Sequence, residues 1–199
     1  MINVAKIISF LLSPLFILLP VPYILVEKVS SNHQYALKWT IFSYIFVLAV
    51  AVFILIGVKL KIFSNFDVSR KEQRPILFLF VAFTLLCYAI SLLIFDGPKV
   101  LNIVVFAVVL GLIITNFINH WIKASIHLAT VTSFLLLFGI LHKGYYFLLL
   151  LLVPLLAWAR IRSKEHTPLE TLVGTLLGIF LTIAVYTFSR LFLMGMIYN

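Results

Sequence analysis

Leu37-Lys-Trp-Thr-Ile-Phe-Ser-Tyr-Ile-Phe-Val-Leu-Ala-Val-Ala-Val-Phe-Ile-Leu-Ile-Gly-Val58 runs for 22 residues with a single charge, Lys38. At about 1.5 Å of rise per residue, such a run crosses a hydrocarbon core roughly 30 Å thick as one helix. Its apolar residues are continuous rather than alternating, which excludes the strand of a closed membrane barrel. The pattern recurs at residues 7–26, 76–95, 100–118, 126–141, 145–158 and 169–189. The breaks are short and carry turn chemistry, as in Ser30-Ser31-Asn32, Asp96-Gly97-Pro98 and His142-Lys143-Gly144. Of 199 residues, 64% are hydrophobic and 11% charged, and the mean hydropathy is +1.21, far from the composition of water-soluble domains. The expectation is an all-α, integral membrane helical bundle of six to seven transmembrane helices, with residues 1–199 forming one domain. Runs 126–141 and 145–158 are short for a bilayer, at roughly 24 and 21 Å, and their ends should draw in polar residues such as His127.

The one cysteine, Cys87, lies inside an apolar run and has no partner for an intramolecular disulfide. Lys6 followed by apolar residues resembles a signal peptide, but no small-residue cleavage site follows, so the segment is read as a retained first span. The formal net charge of +9 fits anionic headgroups, an orienting bias or an anion site, and no nucleic-acid partner is expected. With seven spans, ten of the fifteen Lys and Arg residues fall on one face. The positive-inside bias would put that face in the cytoplasm. If four of the ten hold a ligand instead, the count is six against five and the orientation is open. Nothing in the sequence constrains the oligomeric state.

Three polar clusters share that face. They are Asp67-Val-Ser-Arg70-Lys71-Glu72-Gln-Arg74-Pro75, then Lys123-Ala124-Ser125-Ile126-His127, then Arg160-Ile-Arg162-Ser163-Lys164-Glu165-His166-Thr167-Pro168-Leu169-Glu170. Cations, two histidines and a carboxylate suit phosphoryl transfer. Positive groups hold the phosphate oxygens, one imidazole attacks phosphorus and another protonates the leaving oxygen. The acidic residues are too few and too scattered for a two-metal cage or an aspartate-rich magnesium site, so neither metal nor cofactor is expected.

In these clusters the chain resembles the type 2 phosphatidic acid phosphatases, the lipid phosphate phosphatases, over about residues 60–185. That family's signature has a lysine separated by six residues from Arg-Pro, a Pro-Ser-Gly-His, and a Ser-Arg separated by five residues from a His that is in turn separated by three from an Asp. Arg74-Pro75 matches the first part, Ser125 and His127 the second, and Arg160, His166 and Glu170 the third. Asp67 stands where the pattern has Lys, Ala124 and Ile126 replace Pro and Gly, Ala159 replaces Ser, and Glu170 replaces Asp. The layout is similar to a divergent bacterial branch of the family. The resemblance implies a multi-pass protein of the bacterial inner membrane that hydrolyses a lipid phosphate or diphosphate. It implies that His166 becomes a phosphohistidine, that Glu170 sets its tautomer and that His127 protonates the departing alcohol. Lys71, Arg74, Ser125, Arg160 and Lys123 would cradle the phosphoryl oxygens, Arg being suited by its planar fork. Related enzymes commonly present this site outside the cytoplasm, against the raw charge count.

Plainer readings stand beside these. Thr167-Pro168-Leu169-Glu170 is a capping box, which gives Glu170 a purely structural use compatible with the other. His127, Asn116, Asn119 and His120 could join helices by hydrogen bonds, and Gly174 and Gly178 have the small-x-x-x-small spacing of close helix packing. Arg70, Arg162 and Lys164 suit the headgroup interface, while Trp121, Tyr145, Tyr146 and Trp158 suit an aromatic belt. A degenerate site that binds or transports a lipid phosphate without turnover is the rival function. A prenyltransferase is disfavoured because Asp67 has no neighbouring aspartate to share magnesium.

Overall fold

A computed structural model describes residues 4–142 and 144–192. Lys143, in the third expected turn, lies outside the described residues. Among the described residues every regular element is helical: α1 (Val4–Leu11), α2 (Pro14–Leu18), α3 (Val21–Ser30), α4 (His33–Lys59), α5 (Arg74–Ile94), α6 (Lys99–Ile118), α7 (Ile126–His142), α8 (Leu152–Arg162) and α9 (Pro168–Phe192), with 3-10 segments at Lys71–Gln73 and Gly144–Leu151.

Among the described residues, five segments are long and apolar enough to cross a membrane: His33–Lys59, Lys71–Ile94, Lys99–Ile118, Gly144–Arg162 and Pro168–Leu191. Val4–Leu18 and Val21–Ser30 make a sixth if they count as one broken span. Helix α7 has 17 residues, about 25 Å by its rise, and falls just short. Leu79, Leu93 and Tyr145 are more than two-thirds exposed, as are many large apolar residues on outward faces. A surface of that kind is stable against acyl chains and unstable in water. The chain is a multi-pass integral membrane protein.

Local chemistry explains where these elements depart from the apolar runs. The first run breaks at Pro14 and Pro20, because proline lacks an N–H and its ring clashes with the carbonyl four residues back. Helix α4 starts at His33, earlier than expected, because the Asn32 side chain accepts a hydrogen bond from the Tyr35 N–H at 3.0 Å and caps it. The run at 145–158 becomes a 3-10 segment followed by α8, whose third residue is Pro154. A proline is tolerated in a first turn and would clash were the α-helix continued back through residue 150. The 3-10 rise of about 2.0 Å per residue stretches that segment, so 19 residues from Gly144 to Arg162 reach roughly 32 Å.

The chain divides into two compact units, one made of residues up to Leu18 and Phe117–Phe192, the other of Leu19–Asn116. In the second, Val26, Ala36, Trp39, Tyr88, Leu92, Leu101 and Val105 form the core, and the Ser43 and Tyr88 hydroxyls meet at 2.6 Å. In the first, Leu128, Val131, Leu135, Val153 and Leu156 form the core, with Leu12 and Ile17 of the amino-terminal segment against it.

Helices α7 and α9 hold the first unit together, and they run parallel. A Cβ on Gly174 would lie 2.5 Å from the Ser125 carbonyl oxygen, and one on Gly178 2.5 Å from that of Ala129, so both glycines are needed for this approach. Side-chain hydroxyls lace the same seam. Ser133 Oγ donates to the Gly178 carbonyl at 3.0 Å, and Thr182 Oγ1 donates to the carbonyls of Ser133 at 3.2 Å and Gly178 at 2.9 Å. In lipid such bonds contribute about 0.6 kcal/mol each, and close van der Waals packing supplies the rest.

Candidate functional site

The parallel pairing brings two helix N-termini to one end of the first unit. Ser125 precedes α7, and its N–H donates to the Glu170 carbonyl at 3.2 Å, which pins the start of α7 to the first turn of α9. Ser125 is fully buried and His127 is 6% exposed. The Ser125 hydroxyl has no hydrogen-bond partner among the described residues, an unusual state for a buried donor and acceptor.

His166 lies in the loop between α8 and α9 and is 7% exposed. Its Nδ1 is 2.8 Å from Glu170 Oε2. A carboxylate only accepts, so Nδ1 carries the proton and donates it. The Nε2 lone pair of the neutral ring is then left for a ligand. The same carboxylate oxygen accepts from the Thr167 N–H at 3.2 Å, while the Glu170 N–H donates to Thr167 Oγ1 at 3.3 Å. The capping box and the contact with His166 are therefore one device: Glu170 starts α9 and orients the imidazole together.

Two cations flank the ring. Arg160, in the last turn of α8, is 2% exposed and donates from Nη1 to Ser9 Oγ of α1 at 2.7 Å. Lys123 donates from Nζ to the Glu165 carbonyl at 2.8 Å, tying the loop before α7 to the residue preceding His166. The chain itself bends there: Lys164 takes the left-handed conformation with φ 58°, and the Glu165 N–H closes the turn on the Arg160 carbonyl at 3.1 Å.

Burial pushes the His166 imidazole down to about 4, aided by the Arg160 and Lys123 charges and opposed by Glu170. The ring is neutral at physiological pH, the form a nucleophile requires. The two N-termini add partial positive charge to that of Arg160 and Lys123 at this end of the unit.

Of the residues singled out from the sequence, Lys123, Ser125, His127, Arg160, His166 and Glu170 all belong to this unit. Lys71, in the 3-10 turn, and the buried Arg74, which opens α5, belong to the other. His120 is exposed, and its ring contacts the Phe117 carbonyl at 3.2 Å near the end of α6. Sequence reasoning missed Ser9. A serine inside an apolar run carries no signal of its own, since its use is set by what α1 packs against. Compared with models of protein families, with curated proteins and with solved structures, the chain matches none.

Proposed function

We propose that the chain is a membrane phosphatase that hydrolyses a lipid phosphate or diphosphate, without a metal, through a phosphohistidine at His166. The observation that carries this reading is the buried, neutral His166 ring, held by Glu170 at 2.8 Å with Arg160 and Lys123 beside it. In the first step the Nε2 lone pair attacks phosphorus. The bond from phosphorus to the lipid oxygen breaks, and His127 gives that oxygen its proton. In the second step water attacks phosphorus, the bond to Nε2 breaks, and the proton lost by water returns to His127. Glu170 stabilises the positive charge that develops on the ring. Ser125, Lys123 and Arg160 receive the phosphoryl oxygens, Arg160 through the donors of its planar fork. Lys71 and Arg74 enter the proposal through the family resemblance alone. The helices would make a bundle of the type 2 phosphatidic acid phosphatase kind in a bacterial inner membrane, where the headgroup enters sideways from the bilayer.

The test is to assay purified protein and its His166→Ala variant on phosphatidic acid, phosphatidylglycerol phosphate and undecaprenyl diphosphate in the presence of chelator. The proposal expects turnover by the first and none by the second. Equal rates, or a requirement for magnesium, would defeat it. A second reading, a lipid-phosphate-binding or transporting protein without turnover, is favoured by Asp67, Ala124 and Ile126 at positions where the family has Lys, Pro and Gly. Trapping of labelled phosphate on His166 would rule it out.

A further inference from the structure

Helix α1 lies far outside the stretch of chain that carries the three clusters, yet it packs on α8. Its two buried residues, Ala5 and Ser9, are one turn apart and both small, so the backbone of α1 comes close to α8. Val4, Ile7, Phe10 and Leu11 point outward and are exposed. This face sets Ser9 Oγ 2.7 Å from Arg160 Nη1, in a contact where the serine is 6% and the arginine 2% exposed.

A guanidinium sits at the end of four rotatable bonds, but its five N–H donors are locked in one plane. A bond at Nη1 therefore constrains the rotation of the whole plane, and with it the direction of the other N–H groups. Two parallel hydrogen bonds to a phosphate need that plane aligned with two oxygens. A hydroxyl is suited to the task because it directs the guanidinium without neutralising it, as a carboxylate would.

We infer that Ser9 is a positioning residue. Its hydroxyl holds the Arg160 guanidinium in the orientation that meets a phosphoryl group beside His166, so α1 is a functional wall of the site. This inference rests on the phosphatase reading for the identity of the anion. The geometry itself applies to any tetrahedral or trigonal-bipyramidal oxyanion bound there.

The experiment uses the full chain in detergent, with orthovanadate as the probe and binding measured calorimetrically, together with kcat and KM on phosphatidic acid. Ser9→Ala is expected to weaken vanadate about tenfold, the usual worth of one hydrogen bond to a charged group. It should lower kcat more than it raises KM and leave the unfolding temperature nearly unchanged. In an Arg160→Ala background, Ser9→Ala should have no further effect. The inference is overturned by any of three results: wild-type protein that binds no vanadate, Ser9→Ala affinity within twofold of wild type, or an equal loss in the Arg160→Ala background. Ser9-dependent vanadate binding without turnover would uphold the inference while removing the enzyme. Turnover untouched by Ser9→Ala would do the reverse.

Discussion

Glu170 does two jobs with one oxygen, and a single substitution separates them. In Glu170→Gln the side-chain carbonyl can still accept from the Thr167 N–H, since Gln serves in a capping box as Glu does. Stability should therefore fall by no more than about 1 kcal/mol. The negative charge that orients and supports the His166 ring is lost, and kcat should drop by about 10²-fold or more, as when a neutral amide replaces an orienting carboxylate. Thermal unfolding beside steady-state kinetics checks both, and a variant that loses neither would remove Glu170 from the mechanism. His166 makes a further prediction through pH. Its folded value, near 4, lies below the ordinary 6.5, so the nucleophilic form persists until the pH falls through about 4. The acid limb of kcat/KM should have its midpoint there; a midpoint between 6 and 7 would contradict it. Between these two values the unfolded chain binds a proton that the folded chain does not, so stability should rise with pH across that window. His166→Gln should flatten the slope.

At the scale of elements, the site depends on how closely α7 and α9 approach. Gly174→Ala places a methyl against the Ser125 carbonyl and Gly178→Ala one against that of Ala129. Backbone is the obstacle in both cases, so the helices must part, at about 1–3 kcal/mol. The two variants should unfold at similarly lowered temperatures but differ in activity. Gly174 faces Ser125, which precedes α7 and contacts α9 beside the site, whereas Gly178 lies one turn deeper. Gly174→Ala should therefore lose the larger share of kcat/KM. Unfolding temperatures equal to wild type for both would show that the seam is looser than it looks. The glycine spacing was legible in the sequence as a packing motif. Its partner, and the parallel direction that stacks two N-termini, were not, because small residues permit close approach by any helix with a matching face.

On the scale of the whole molecule, Gly144–Arg162 reaches the length of a bilayer core only by combining 3-10 and α geometry. Single cysteines at Tyr145 and Lys164, each in a Cys87→Ser background, should react with an impermeant thiol reagent from opposite sides of the membrane. Labelling of both from one side would mean that the segment turns back within a leaflet. The sequence alone determined the solvent of this protein, because long continuous runs of Leu, Ile, Val and Phe can satisfy their backbone groups as helices in lipid and are too many for one small chain to cover their apolar faces in water. It also marked His166, Glu170, Arg160, Ser125 and His127 by spacing, and the capping box by local chemistry, since both are features of short stretches of chain. The tertiary structure alone decided that Ser9 meets Arg160 and that Lys123 ties down the turn before His166. Those contacts join residues far apart along the chain, and in an apolar background every helix face offers nearly the same composition. Only the fit of one face against another selects which polar group lands on which partner.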